Sequence, residues 1–222
     1  MSETAARRDR DLGLAAAALC TLAALALLRE ESASIQELDS RVRRLARSSA
    51  GARADRMLAP LFPVGLPGVY IPVAHAAAWW LGKRGYRAGA VPATAWTAWL
   101  AHRGVKLVHH RERPRGRDRN GRRKPRRTDS YPSGHTTGIT ALSIALMKVL
   151  AQPRRTRRRH RRPELKNART LLGAAPLVMG TQRLLADDHW ATDVLGGLSL
   201  GTAVACVCDA CADWMNDRSV RR

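Results

Sequence analysis

Long Ala, Leu and Val stretches separated by clusters of arginine set the tightest limit on how this 222-residue chain folds. The apolar stretches fall at 12–28, 57–81, 88–105, 135–151, 170–186 and 190–212. Runs of that length and composition read as helices that are either buried or membrane-spanning. The mean hydropathy is slightly negative, because 39 Lys and Arg against 18 acidic residues lie mostly between the stretches. The expected fold class is therefore all-α, a six-helix transmembrane bundle.

The stretch 12–28 follows Arg7, Arg8 and Arg10, and no small-residue cleavage site follows it. It reads as a retained span rather than a signal segment. Residues 32–56 read as an amphipathic helix, with Ile35, Leu38, Val42 and Leu45 spaced three or four apart. Trp79-Trp80 beside Lys83-Arg84 suits a membrane interface. A charge of +21 points to polyanionic partners. The basic run 152–169 carries no interleaved aromatics, so it reads as a solvated loop and not as a specific nucleic-acid site. Cys20 stands apart from Cys206, Cys208 and Cys211. Positions 206 and 208 point apart on a helix, so these cysteines read as core or lipid-facing and not as metal ligands.

Three motifs carry the chemistry. Lys106 is followed after six residues by Arg113-Pro114; then comes Pro132-Ser133-Gly134-His135; then Arg183, five residues, His189, three residues, Asp193. Three cations, two histidines and a carboxylate suit reaction at a phosphate monoester or diphosphate. The cations neutralise phosphoryl oxygens, one imidazole attacks phosphorus, the other protonates the leaving oxygen, and the carboxylate orients an imidazole. Ser133 and Gly134 sit where a helix should begin, and free amides there favour a phosphate. Ser133 is equally a natural N-cap, and Gly134 leaves room for close approach. Lys106 and Arg113 are expected beyond the end of the 88–105 helix. The spacing of four between His189 and Asp193 fits one helical face.

The motifs, in this order and spacing, resemble those of the type 2 phosphatidic acid phosphatase (PAP2) superfamily, whose pattern is K-x6-RP, PSGH and SR-x5-H-x3-D. Every specified position matches except Gln182, where the family usually has serine. The resemblance spans about residues 57–212. It divides the chain into a membrane span and amphipathic segment (1–56), a PAP2-like phosphatase domain (57–212) and a basic tail (213–222). It implies that His189 is the nucleophile, forming a phosphohistidine, that Asp193 holds its tautomer and that His135 protonates the leaving alkoxide. Lys106, Arg113, Ser133, Gly134 and Arg183 would bind the phosphate. No metal or other cofactor is implied, since arginines take over its electrostatic work. His109 and His110 match no specified position and read as structural; Tyr131 adjoins the site.

The resemblance favours the membrane lipid-phosphatase branch, acting on a phosphatidic acid-like or polyprenyl phosphate. High Ala and Arg content suggests a GC-rich bacterial genome and hence a plasma-membrane location. With the N-terminus inside, both sides carry 18 Lys and Arg. Discounting substrate-binding cations in 106–131 then places 152–169 in the cytoplasm and the motifs on the extracytoplasmic face. Two rivals share parts of the pattern. One is a vanadium-dependent haloperoxidase, which is larger and soluble. The other is a catalytically inactive basic membrane protein that binds anionic lipid or nucleic acid.

Overall fold

The protein is described by a computed structural model covering residues 3–114, 116, 124–125, 127–152 and 164–220. Among the described residues, eight α-helices follow in order: α1 (Glu3–Glu31), α2 (Ala33–Ala46), α3 (Ser49–Leu58), α4 (Pro67–Lys83), α5 (Ala90–Val108), α6 (Gly134–Ala151), α7 (Glu164–Leu185) and α8 (Ala191–Val220). A 3₁₀ helix, Ala59–Gly65, joins α3 to α4. Among the described residues there is no strand, only an isolated bridge between Arg111 and Asp129. The fold is all-α, as expected. Most of the basic run, 153–163, lies outside the described residues; its end opens α7.

Helix α8 is the hub, packed on α1, α5 and α6. Small residues let α6 and α8 approach closely. A Cβ added to Gly197 would lie 2.7 Å from the Ser133 carbonyl oxygen, and one on Gly201 2.6 Å from that of Thr137. Only glycine permits that spacing, as at many helix contacts in membranes. The apolar core gathers Tyr70, Ile71 and Ala74 of α4, Val91 and Ala95 of α5, and Ile139 and Leu142 of α6. At the end far from the motifs, Arg7 pairs with Asp213 at 2.6 Å, and Lys148 with Asp11 at 2.7 Å and Asp209 at 3.3 Å.

Three expectations change. Among the described residues, two helices, over Thr4–Arg29 and Ala191–Arg218, are long and apolar enough to cross a membrane. A third span exists if Ser49–Gly65 and Pro67–Lys83, bent by 66°, count together. Helices α5 and α6 fall short of that standard because they carry His102, Arg103, Lys106 and Lys148, and α7 opens on charged residues. The expected helix 32–56 breaks at Arg47-Ser48, where Ser32 and Ser48 cap α2 and α3 by accepting from Ile35 N and Gly51 N. The apolar run from 57 breaks because Pro60 and Pro63 lack the amide that an α-helix needs, and Pro67 starts α4 afresh.

Helix α2 is turned unexpectedly. Leu38 and Leu45 of its apolar stripe are exposed, while Asp39 is buried. The reason lies at the neighbouring start of α8, where Asp39 has polar partners.

Candidate active site

All three motifs meet at one end of the bundle. The 88–105 helix continues to Val108, so Lys106 lies in the last turn of α5 and not beyond it. Its Nζ donates to the Asp129 carbonyl at 2.6 Å and lies 3.8 Å from the Asp129 carboxylate. The loop after α5 folds back on itself. Arg111 N donates to Thr128 O at 2.8 Å, Arg113 N to Arg127 O at 2.9 Å and Ser130 N to Arg111 O at 3.0 Å. This pairing fixes Arg111, Arg113, Asp129 and Ser130 together. Arg113 Nε donates to Asp129 Oδ1 at 3.1 Å. Burial alone would raise the Asp129 carboxyl; Arg113 and Lys106 outweigh it and hold the group down at about 2.

Ser133 stands at the N-cap of α6 but makes no side-chain cap bond. Its hydroxyl accepts from Thr136 Oγ1 at 2.9 Å, and its amide donates to the Asp193 carbonyl at 2.9 Å. Gly134 is the first helical residue. Its missing side chain admits His102, whose Nε2 would lie 2.7 Å from an added Cβ. Thus the glycine is needed by the protein's own packing. His135 stacks on Phe62 of the 3₁₀ helix, with ring centres 4.9 Å apart. Its Nε2 is buried and makes no hydrogen bond among the described residues.

Arg183 is 2% exposed near the end of α7. Its Nη1 donates to Gln182 Oε1 at 3.0 Å, its Nη2 pairs with Asp188, and its guanidinium lies 4.9 Å from the Phe62 ring centre. Gln182, in the serine position of the pattern, therefore braces Arg183 as an acceptor. Lys124 also pairs with Asp188. Burial works to raise the Asp188 carboxyl, but Arg183 and Lys124 keep it below the usual range.

His189 precedes α8, so it and Asp193 do not share a helical face as the spacing suggested. Trp190 caps α8, and Asp193 Oδ2 reaches back to accept its amide at 2.8 Å, the reciprocal half of a capping box. That fold-back brings Asp193 Oδ2 within 3.5 Å of His189 Nδ1. The distance is long for a hydrogen bond, so the contact is chiefly electrostatic. Burial pushes the His189 imidazole down to about 4; Asp193 opposes this, while Arg113 and Arg183 add to it. The ring is neutral near pH 7, with a lone pair available.

Two residues that sequence reasoning passed over belong here. Arg111 Nη1 donates to Asp193 Oδ1 at 2.6 Å, and Ser130 Oγ donates to Asp193 Oδ2 at 2.5 Å. Arg111 was one basic residue among many in its loop, and nothing in its spacing marked it. Tyr131 is fully buried and donates to the Leu22 carbonyl of α1 at 2.5 Å, so its hydroxyl is committed to the fold. His109 stands edge-on to Tyr131, with ring centres 6.2 Å apart. The four cysteines are free.

Arg113 and Arg183 thus lie near a buried imidazole, His189, that is backed by Asp193, with the second imidazole of His135 close by. The family model for the PAP2 superfamily matches residues 88–217, and the chain belongs to that superfamily. No curated protein matches the chain. Among solved structures, it is similar to a transmembrane PAP2-type phosphatidylglycerolphosphate phosphatase from Bacillus subtilis. The TM-score is 0.65 at 18% identity, over 89% of this chain and 95% of that one. At that identity the likeness concerns the fold.

Proposed function

We propose that this protein is an integral membrane phosphatase that hydrolyses a lipid phosphate or diphosphate through a phosphohistidine, without a divalent metal. The observation that carries this is the buried, neutral His189 backed by Asp193, in a site that also holds Lys106, Arg113, Arg183 and His135. His189 Nε2 attacks phosphorus while the bond to the leaving oxygen breaks. His135, which enters as the imidazolium that the bound phosphate's negative charge favours, gives that oxygen a proton and becomes neutral, releasing an alcohol or a phosphorylated alcohol. Water then attacks the phosphohistidine, His135 takes its proton, and inorganic phosphate departs with His189 restored. Lys106, Arg113 and Arg183 neutralise the equatorial oxygens, with Ser133 and the opening amides of α6 beside them.

In this reading α1, α4, α5, α6, α7 and α8 form a six-helix membrane bundle. Lys106 of α5, Lys148 of α6 and Arg183 of α7 are shielded by their neighbours, whereas Arg103 and Arg169 are exposed. The exposed Leu38 and Leu45 of α2 lie against the bilayer surface. The site faces away from the cytoplasm and 152–169 faces inward. The substrate is a phosphatidic acid-like, phosphatidylglycerolphosphate-like or polyprenyl phosphate, since the cradle reads the phosphate and not its alcohol.

The test is phosphate release by purified, detergent-solubilised protein from a panel of such lipids with EDTA present. Release with EDTA, lost in His189→Ala, is expected. Activity abolished by EDTA and restored by Mg²⁺ overturns the metal-free route, and no release from any lipid phosphate overturns the phosphatase reading.

A further inference from the structure

We propose that Asp39 and Arg111 are positioning residues that act through Asp193 on His189, making helix α2 part of the catalytic device. This rests on the reading of His189 as the nucleophile. Asp39 is 3% exposed. A buried carboxylate is costly unless it is fully paired, and this one is. It accepts from Thr192 N at 2.9 Å, Thr192 Oγ1 at 2.8 Å and Arg111 Nη2 at 2.6 Å. Arg111 spends its other arm on Asp193 Oδ1 and Thr192 Oγ1, each at 2.6 Å. One guanidinium thus bridges two carboxylates on different helices.

The second oxygen of Asp193 is equally constrained. Ser130 Oγ and Trp190 N both donate to Oδ2, the atom nearest His189 Nδ1. With both oxygens fixed, the carboxylate has one orientation and so does the imidazole it faces. Asp39 lies outside the segment that the family model matches, 88–217, whereas Arg111, Thr192 and Asp193 lie within it. The brace on the catalytic carboxylate is therefore completed by the chain's N-terminal part.

The same bridge sets charge. Arg111 offsets part of Asp193's pull on a proton at His189, and Asp39 offsets part of Arg111. The other groups facing His189 are Arg113 and Asp188 of the loops, Arg183 of α7, His135 of α6 and His102 of α5. None of them bonds to Asp39 or Arg111 in the contacts above, so changes at the bridge act on His189 through Asp193.

The test uses full-length, detergent-solubilised protein with ¹⁵N-labelled histidine. The His189 ring signal is assigned by its loss in His189→Gln and titrated by NMR. Arg111→Gln should raise the midpoint by about one pH unit. Adding Asp39→Asn to it should take part of that rise back, because the two removed charges have opposite sign. Thr192→Val removes hydroxyl bonds but no charge, and should leave the midpoint in place. An unmoved midpoint in Arg111→Gln, or a double variant identical to it, overturns the proposal. Should Arg111→Gln fail to fold, Asp39→Asn alone must lower the midpoint, and a wild-type value there overturns it. The titration needs no turnover. If the shifts appear in a protein inactive on every lipid phosphate, the phosphatase reading fails alone; if they are absent in an active one, only the bridge does.

Discussion

Arg113 and Asp129 face each other across the folded-back loop, Nε to Oδ1 at 3.1 Å, so an arginine of the proposed phosphate cradle is already engaged by a carboxylate. Asp129 also holds Lys106. An incoming phosphoryl group must compete with it. Asp129→Asn should tighten inhibition by orthovanadate about fivefold, the equivalent of one half-exposed ion pair of about 1 kcal/mol. Unchanged or weaker inhibition would mean that Asp129 aims the cations rather than competing for them.

Arg183 is buried between Gln182, Asp188 and Phe62. Arg183→Lys keeps the charge and loses the planar fork. Turnover should fall by roughly 100- to 1,000-fold, the scale for one oxyanion donor, with normal expression. Gln182→Ala should cost about tenfold by loosening Nη1, the equivalent of one hydrogen bond of about 1.4 kcal/mol. Near wild-type turnover in Arg183→Lys would make Arg183 structural.

The two histidines should separate by leaving group. A lipid alkoxide needs a proton in the transition state, whereas nitrophenolate scarcely does. His135→Ala should lose far more activity on a lipid phosphate than on p-nitrophenyl phosphate; His189→Ala should lose both alike. Rapid quenching with labelled substrate should trap an acid-labile phosphohistidine in His135→Ala only. Label persisting in His189→Ala would reverse the roles.

Burial lowers the His189 imidazole from its ordinary 6.5 to about 4. The neutral, nucleophilic form therefore persists as pH falls and is lost only through that lower value. Once the ionisations of the substrate and of the proton donor His135 are divided out, kcat/KM should show no acid limb from His189 above about pH 5. An acid limb centred at 6.5 would show that His189 is not held neutral by its surroundings.

Helix α6 meets α8 through Gly201, where an added Cβ would lie 2.6 Å from the Thr137 carbonyl oxygen. That backbone atom cannot swing aside as a side-chain end would. Gly201→Ala should destabilise the protein by about 1–3 kcal/mol, seen as a lower unfolding temperature in detergent. An unchanged temperature would mean that the helices separate freely.

Periodicity and motif spacing disclosed the helices and the motif residues because both are local or fixed in register. They were silent on what depends on long-range pairing. Arg111 resembles its basic neighbours until the loop folds back and aims it at Asp193. The stripe Ile35, Leu38, Val42, Leu45 pointed to α2's apolar face, yet the buried residue is Asp39, chosen by Thr192 and Arg111 from distant sequence. The His189–Asp193 spacing led to a correct neighbourhood by the wrong geometry, since a cap and not a helical turn brings them together.

Beside the 66° break before α4, one aromatic ring, Phe62, lies against both His135 and Arg183, the proposed proton donor and oxyanion ligand. In the proposed mechanism, grip on the phosphate and delivery of the proton are thereby mechanically linked. A substitution that lets the 3₁₀ segment drift alters both together, so KM and kcat defects along Ala59–Gly65 will travel as a pair, whereas defects confined to one motif will divide them.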